Sequence, residues 1–446
     1  MMKKILVLGA GLSSSYLIKY LLDHASTENW QITVADSNLA AAQLKIHNHS
    51  HANAISLNIM DDGARETTIA ANDLVISLLP PTLHIVAAKD CIKHKKHLVT
   101  ASYISEEMEQ LDAAAKEAGV LLLNECGLDP GIDHLSAMKI IHEIEERGGT
   151  VTSFKSFCGG LVAPEYDDNP WNYKFTWNPR NVVLAGQATA KYLENGVLKF
   201  IPVAHIFEQT EQVTLDGYGE FESYANRDSL GYIEPYGITQ AKTVLRGTLR
   251  KKGYSEAWNL LVKLGLTDDS FVIHEANKLT LRKWVNAFVP GTDLAQLENR
   301  ICKHLNIDAA SDSFQKLVWL GILSDERITL HEATPAQILQ TVLQQKWKLQ
   351  SGELDMIVMK HQINFRIENS ELRIESELVV KGEDEVLTAM AKTVGLPMAI
   401  AAKLILQNKI QSRGVHMPLS KEFYEPILTE LETYCVKFVE RESQLN

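Results

Sequence analysis

The sequence predicts an α/β protein in which an N-terminal doubly wound parallel sheet is followed by an α+β domain and a helical insertion. Short aliphatic runs alternate with helix-length segments over the first 127 residues. Strand-like segments follow at residues 151–158, 200–207 and 357–379, with helical periodicity between residues 256 and 347. Because parallel strands need a crossover connection, the alternating part predicts a parallel sheet covered by helices on both faces.

Length and composition predict a globular protein of two or three domains. The chain has 446 residues, of which 45% are hydrophobic and 22% charged, as in folded domains. This length exceeds what one core usually holds. We expect a parallel-sheet domain at residues 1–127 and an α+β domain at residues 128–253 and 348–389. A helical subdomain is expected at residues 254–347, and C-terminal helices at about 390–446 are expected to return to the first domain.

Charge and cysteine content limit the partners and the compartment. The formal net charge is −12, so the protein's field repels polyanions and anionic membrane surfaces, and we expect neither nucleic acid nor membrane as a partner. An anionic ligand would need a local group of Arg or Lys side chains. The five cysteines are scattered without a CxxC pair, and no signal peptide or membrane-length apolar run is apparent. We expect a cytoplasmic protein with reduced thiols and no metal site.

The strands of the first domain recur at regular intervals. Residues 5–8 form an aliphatic run that ends at Gly9, and residues 12–22 have apolar side chains at helical spacing. The other strands of this domain are predicted at residues 31–35, 53–57, 73–79, 96–100 and 119–123. Ligands of such sheets bind beyond the carboxyl ends of the strands, so the loops at those ends are the candidate site.

The first of these loops has the pattern of a Rossmann-type dinucleotide site. Gly9 and Gly11, followed by Leu12 and Ser13, lie between the first strand and the first helix. Gly9 permits a tight turn, Gly11 lets a pyrophosphate approach the backbone, and the helix N-terminus offers unpaired N–H groups. Ser14 replaces the usual third glycine. A G-x-G turn alone is also compatible with a purely structural role.

Asp36 ends the second predicted strand, where a carboxylate accepts hydrogen bonds from the adenosine ribose. Because a carboxylate repels a 2′-phosphate, Asp36 favours NAD over NADP, with NADP still possible. A solvated acid at a strand end is the competing interpretation. Ser77 and Leu78 end a later strand and are expected on the nicotinamide side of the same site.

Two further strand ends and three arginines are the candidates for binding the substrate. Thr100-Ala101-Ser102-Tyr103 ends one strand, and a segment containing Asp129 and His134 ends the next. Three arginines occur in short motifs with Asn, Ser and Thr, namely Arg227, Arg246 and Arg250. Guanidinium groups suit bidentate recognition of carboxylates, so we predict a substrate with several carboxylates. Surface ion pairs would explain any one of these arginines alone.

Six segments carry a resemblance to a known family. TASYIS, GLDPGIDH, FCGGLVAPE, NPWNYKFTW, YANRDS and VLRGTLR occur in this order, and the chain resembles saccharopine dehydrogenase of the glutamate-forming kind, also called saccharopine reductase. The resemblance runs from the first strand to about Gly253 and returns near residues 394–417. Ala225 stands where the family usually has proline, and Cys126 replaces a more commonly aliphatic residue.

The resemblance implies a homodimeric NAD(P)-dependent oxidoreductase that acts on a CH–NH bond in lysine metabolism. It would interconvert saccharopine with L-glutamate and 2-aminoadipate 6-semialdehyde through an imine. The implied substrate-binding residues are Ser102, Tyr103, Leu128, Asp129, Arg227, Thr248, Leu249 and Arg250. The turn implied to lie near the nicotinamide comprises Gly131, Ile132, Asp133, His134 and Leu135.

Several roles remain open at this level. Deprotonating the amine and hydrolysing the imine need a positioned acid or base, and the candidates are Asp129, Tyr103, His134 and Cys158. Asp129 could instead hold the substrate amine, His134 could cap or pack a helix, and Cys158 could be a buried structural thiol. The alternative functions are a related imine reductase, such as a carboxynorspermidine synthase, and a nucleotide-binding sensor without turnover.

Overall fold

A computed structural model describes residues 2–186 and 188–445. The chain divides into two compact units, Met1–Thr150 with Leu378–Glu440 and Val151–Glu377 with Arg441–Asn446. The first unit therefore extends beyond the expected boundary at residue 127, and the helices of residues 254–347 belong to the second unit rather than to one of their own.

The strands and helices alternate through the first unit and are mixed in the second. The strands are β1 Lys3–Leu8, β2 Trp30–Asp36, β3 Ala52–Ser56, β4 Leu74–Ser77, β5 His97–Thr100, β6 Leu121–Leu123, β7 Thr150–Val162, β8 Ala190–Glu194, β9 Val197–Ile201, β10 Thr210–Leu215, β11 Gly219–Ala225, β12 Thr243–Lys251, β13 Asp355–Ile367, β14 Ser370–Lys381, β15 Gly414–His416 and β16 Val439–Gln444. The α-helices are α1 Ser14–Ala25, α2 Leu39–Ile46, α3 Asp62–Ala70, α4 His84–Lys93, α5 Glu106–Glu109, α6 Asp112–Ala118, α7 Ile132–Glu146, α8 Pro179–Val183, α9 Tyr254–Lys263, α10 Leu281–Asn286, α11 Leu297–Leu305, α12 Asp312–Trp319, α13 Pro335–Lys346, α14 Ala389–Leu406 and α15 Lys421–Thr433.

The first unit contains the predicted parallel sheet. Its strand order is β3-β2-β1-β4-β5-β6-β15, and each strand is parallel to its neighbours. The aliphatic side chains of β1 and β4 are almost fully buried, as expected for strands covered on both faces. The order reverses between β1 and β4, which is where ligands of doubly wound sheets bind. This confirms the predicted fold class.

The C-terminal part of the chain completes this unit. Strand β15 adds to the sheet beside β6, and α15 packs against α7, which explains why the first unit includes α7. Helix α14 packs along α1, and a Cβ on Gly395 would lie 2.8 Å from the backbone nitrogen of Leu17. Glycine is needed there because the two backbones approach so closely.

Helix α14 is also the one described helix whose length and apolar composition would let it cross a membrane. Most of its surface is buried inside the protein, and core helices commonly meet the same criteria. Its apolar residues are therefore explained by packing within the first unit.

The second unit is built on a mixed sheet with the order β10-β11-β12-β7-β13-β14-β16, to which the β8–β9 hairpin is attached beside β12. A cluster of buried aromatic rings packs α9 against the end of α13, with Trp258 and Trp347 5.9 Å apart and Trp171 5.3 Å from Trp347. The helical insertion expected from periodicity is thus present as α9 to α13.

Candidate active site

The glycine turn joins β1 to α1 at the switch point of the parallel sheet. Gly9 has a φ of +104°, and a Cβ there would lie 3.0 Å from the carbonyl oxygen of Leu78. Both facts require glycine. A Cβ on Gly11 would meet no atom within 4 Å, so the space in front of this backbone is open. A pyrophosphate can therefore approach it, as the pattern predicts.

The residues after the turn also leave the start of α1 open to an anion. Leu12 is exposed, whereas Ser14 is buried and its hydroxyl donates a hydrogen bond to the Gly11 carbonyl at 2.7 Å. No side chain caps the N-terminus of α1 at Ser13, so the first N–H groups of a twelve-residue helix are directed towards the turn. Such a helix start favours an anion through its unpaired donors and its dipole.

Asp36 lies beside the turn, at the end of β2. Its Oδ2 accepts a hydrogen bond from the Ala10 N–H at 2.7 Å, and its Oδ1 accepts one from the Asn38 N–H at 2.8 Å. These contacts fix the carboxylate next to the glycines. Oδ1 also accepts a hydrogen bond from the Ser37 hydroxyl at 3.4 Å, so Oδ2 is the oxygen that retains a lone pair with which it can accept a ribose hydroxyl.

A histidine that was not predicted as a site residue contacts the ends of both β4 and β5. His84, the first residue of α4, lies 2.8 Å through Nδ1 from the Ser77 hydroxyl and 2.8 Å through Nε2 from the Ser102 hydroxyl. The ring is 3% exposed, and burial lowers the pKa of His84 to about 4. Ser77 and Ser102, predicted on the cofactor and substrate sides, are therefore linked through one imidazole.

The loop that carries Ser102 and Tyr103 is held from its other side by Glu125. The Glu125 N–H donates to the Ser102 carbonyl at 3.0 Å, and its carboxylate accepts from the Ile104 N–H at 3.0 Å and pairs with His134 Nε2 at 2.9 Å. Glu125 and His134 are both buried. Glu125 also has a φ of +54°, a conformation that costs energy for a residue other than glycine.

Tyr103 and Asp129 come together at the open end of this region. Tyr103 is 46% exposed, and its hydroxyl lies 3.5 Å from Asp129 Oδ1. Asp129 belongs to a tight loop in which Gly127 and Gly131 pack directly on each other, since a Cβ on Gly131 would lie 2.0 Å from the Gly127 carbonyl oxygen. Leu128, the neighbour of Asp129, is buried.

The side chains at the start of α7 are directed into the protein interior. Ile132, Asp133, His134 and Leu135 are all nearly fully buried. The Asp133 carboxylate accepts a hydrogen bond from the Gly131 N–H at 2.6 Å, and His134 pairs with Glu125. These contacts support a structural role for both polar side chains, and the predicted contact with nicotinamide stays a prediction.

In the second unit, the register of β12 shows which side chains share a face. Thr248 lies opposite Cys158 on β7, and Arg246 lies opposite Ser156. Since side chains alternate along a strand, Arg246, Thr248 and Arg250 lie on the same face as Cys158. Leu249 is fully buried on the other face, so only its backbone can reach a ligand bound beside Thr248.

The two arginines on that face are buried among aromatic rings. Arg246 lies over Tyr232, with its guanidinium carbon 4.1 Å from the ring centroid, and Arg250 lies 4.9 Å from the centroid of Tyr173. Arg250 donates from Nη1 to the Leu249 carbonyl at 2.8 Å. Its buried Nε has no hydrogen-bond partner among the described residues, which leaves one donor for an anion.

Arg227 and Cys158 differ in their exposure. Arg227 is exposed, and its guanidinium makes no hydrogen bond or ion pair with any residue that the structure describes. Cys158 is 8% exposed within β7. The arginine is therefore available to a ligand at the surface, while a proton-transfer role for Cys158 stays a prediction.

Known proteins and family models match nearly the whole length of this chain. The saccharopine dehydrogenase NADP binding domain matches residues 5–123, and the saccharopine dehydrogenase C-terminal domain matches residues 127–436. The chain is 39% identical to the mitochondrial alpha-aminoadipic semialdehyde synthase of Bos taurus, over 98% of this chain and 47% of that protein. It thus spans about half the length of that mammalian relative.

Fungal relatives match over their whole length. The saccharopine dehydrogenase [NADP(+), L-glutamate-forming] of Pyricularia oryzae is 35% identical over 98% of this chain and 99% of its own. The solved structure of apo saccharopine dehydrogenase (L-Glu forming) from Saccharomyces cerevisiae superposes with a TM-score of 0.88 at 33% identity, covering 99% of this chain and 100% of the yeast chain. With both family models matched in order along the chain, this protein belongs to the saccharopine dehydrogenase family.

Proposed function

We propose that this protein is an L-glutamate-forming saccharopine dehydrogenase of lysine metabolism. It would oxidise the secondary amine of saccharopine to an imine and release L-glutamate and 2-aminoadipate 6-semialdehyde, or catalyse the reverse. The observation that carries the proposal is the full-length match to the yeast structure, a protein described by this activity. The loop at Ser102 and Tyr103 and the loop at Asp129 support it, since both follow strands of the dinucleotide-binding sheet.

The residues of the first unit fit a bound nicotinamide dinucleotide. Gly9 and Gly11 leave room for the pyrophosphate, and the start of α1 offers N–H donors to it. When bound, the cofactor supplies or accepts the hydride. The protein has to hold the amine-bearing carbon in line with the nicotinamide and to move protons to and from the substrate.

The choice between NAD and NADP is proposed from Asp36. The matching family model is described as NADP binding, and the fungal relatives are named for NADP(+). Those names favour NADP. Asp36 favours NAD in this chain, because its carboxylate is fixed beside the glycine turn and would repel a 2′-phosphate. We propose NAD as the preferred cofactor on this local charge.

Asp129 and Tyr103 are the proposed proton-handling pair. The Asp129 carboxylate can accept a proton from the substrate amine or from the water that attacks the imine. The Tyr103 hydroxyl, 3.5 Å from Asp129 Oδ1, can orient that carboxylate or relay a proton through it. His134 is a weaker candidate for this role because it is buried and paired with Glu125.

The carboxylates of saccharopine would be recognised by hydroxyl and guanidinium donors. Ser102 offers a hydroxyl, and Arg227 offers an exposed guanidinium without a partner among the described residues. The buried Nε of Arg250 lacks an acceptor, and a carboxylate oxygen would supply one. These donors suit a small amino-acid substrate with several carboxylates, whereas the net charge of −12 disfavours nucleic acid and anionic membranes. We further propose a cytoplasmic homodimer.

The test is turnover by the purified protein. Saccharopine with NAD should yield reduced cofactor and L-glutamate in equal amounts, with a lower kcat/KM for NADP. Asp36→Ser should narrow that preference, while Asn38→Ser, which leaves the carboxylate in place, serves as the matched control. A higher kcat/KM with NADP than with NAD would refute the cofactor assignment. Cofactor binding without turnover of saccharopine, or turnover only of another imine, would refute the proposed activity.

A further inference from the structure

His84 occupies a position that constrains two hydroxyl groups at once. Its ring is buried between the Ser77 and Ser102 hydroxyls, each 2.8 Å from a different ring nitrogen. The strand ends bring these groups together, because Ser77 lies opposite Thr100 where β4 and β5 end in register, and Ser102 follows two residues later. The Thr100 hydroxyl lies 3.3 Å from His84 Nε2 and accepts a hydrogen bond from the Ser102 N–H at 3.3 Å.

The charge state of the ring limits what the two serines can do. Burial holds the pKa of His84 at about 4, so the imidazole is neutral at neutral pH. A neutral imidazole has one N–H donor and one acceptor nitrogen. One serine must therefore donate its proton to the ring, and the other must accept a proton from it. Which serine donates depends on the tautomer.

The surroundings of Ser77 decide the tautomer. Ser77 is 1% exposed, and its hydroxyl has no hydrogen-bond partner other than His84 within residues 2–186 and 188–445. If Nδ1 carried the ring proton, the Ser77 hydroxyl proton would be buried without an acceptor, which is costly. With Nδ1 as the acceptor, Ser77 donates to it, and Nε2–H donates to Ser102.

We propose that His84 is a positioning residue that occupies a lone pair of the Ser102 hydroxyl and so directs the Ser102 proton outward, to a carboxylate oxygen of the substrate. Ser102 is only partly buried, so its proton can point to the open side of the loop. The carboxylate as the acceptor rests on the proposed function. The tautomer and the direction of the Ser102 hydroxyl do not rest on it.

The tautomer can be measured without substrate. Long-range ¹H–¹⁵N correlation spectra of the whole protein with labelled histidine distinguish a protonated Nε2 from a protonated Nδ1, and the signals that vanish in His84→Gln identify the ring. The expected result at pH 7 is a neutral ring protonated at Nε2. A ring protonated at Nδ1, or a charged ring, would overturn the inference.

The consequence for Ser102 is tested by a double-mutant cycle on saccharopine turnover. His84→Leu and Ser102→Ala should each lower kcat/KM for saccharopine by about tenfold or more, as loss of a hydrogen bond to a charged group does. Because His84 acts through Ser102, His84→Leu should add less than about twofold in the Ser102→Ala background. If His84 only supported the fold, the two losses would multiply.

His84→Gln provides the conservative rescue, since its amide N–H can replace the Nε2–H donor. Its kcat/KM should lie closer to wild type than that of His84→Leu, and an equal loss in both variants counts against the proposal. If the wild-type protein does not turn over saccharopine, the proposed function fails, and the spectra still decide the tautomer. If His84→Leu fails to fold, the spectra still decide the tautomer, and His84→Gln is compared with wild type, where a loss of about tenfold or more in kcat/KM would count against the proposal.

Discussion

Replacing Glu125 with Ala should both destabilise the first unit and loosen the loop that carries Ser102. The buried contact with His134 loses its acceptor, which costs about 1–3 kcal/mol. The Ile104 N–H is only half-buried, so its lost hydrogen bond adds about 0.5–1.5 kcal/mol. The expected loss in free energy of unfolding is therefore about 1.5–4.5 kcal/mol.

The assay is urea unfolding together with hydrogen exchange at single amides. Glu125→Gln is the matched control, because its amide oxygen can still accept from Ile104 and its NH₂ can donate to the other His134 tautomer. We expect the Gln variant to lose less than half as much stability as the Ala variant. The Ile104 amide should exchange faster in the Ala variant alone. A stability change below about 0.5 kcal/mol with unchanged Ile104 exchange would refute the reasoning.

Three further results are expected. Arg227→Ala should raise the KM for saccharopine about tenfold or more while the KM for the cofactor changes little, since a charge-assisted contact is lost; an unchanged saccharopine KM would remove Arg227 from the site. Asp129→Asn should lower kcat by about 10²- to 10⁴-fold if Asp129 transfers protons, whereas a raised KM with normal kcat would mean that it only holds the amine. His84 has a folded-state pKa near 4, below the unfolded value of about 6.5, so the unfolded state takes up a proton first and stability falls as the pH drops from about 6.5 to 4. His84→Leu should therefore reduce the dependence of the unfolding free energy on pH by up to about 1.4 kcal/mol per pH unit. Urea unfolding across this pH range measures that dependence, and an unaltered dependence would contradict the lowered pKa of His84.

Much of the fold could be predicted because local pattern and tertiary structure agree in the first unit. The aliphatic runs that become β1 and β4 are buried on both faces, so their composition alone marks them as parallel strands. Strand β15 could not be predicted in the same way. It has only three residues, Gly414–His416, and it becomes a strand because it pairs with β6 from a distant part of the chain.

Candidate site residues could be predicted where they directly follow a strand, and could not be predicted where their position depends on contacts with side chains of other loops. Ser102, Tyr103 and Asp129 follow strand ends, and strand ends can be located from sequence. His84 and Glu125 were missed because their partners lie in other loops and only the fold brings them together. A positive φ cannot be predicted from sequence at an acidic residue such as Glu125, whereas a glycine indicates that such a conformation is possible.

The contribution of residues 378–440 to the first unit has a consequence for the order of synthesis. When the ribosome has completed β1 to β6, the nascent chain still lacks the helix that packs along α1 and the strand that borders β6. At about 5–20 residues per second, these arrive only after tens of seconds, once the Val151–Glu377 part of the second unit has been made. Nascent chains that have not yet reached α14 should therefore expose the apolar side of α1, and we expect chaperones to bind them until α14 and β15 have been synthesised.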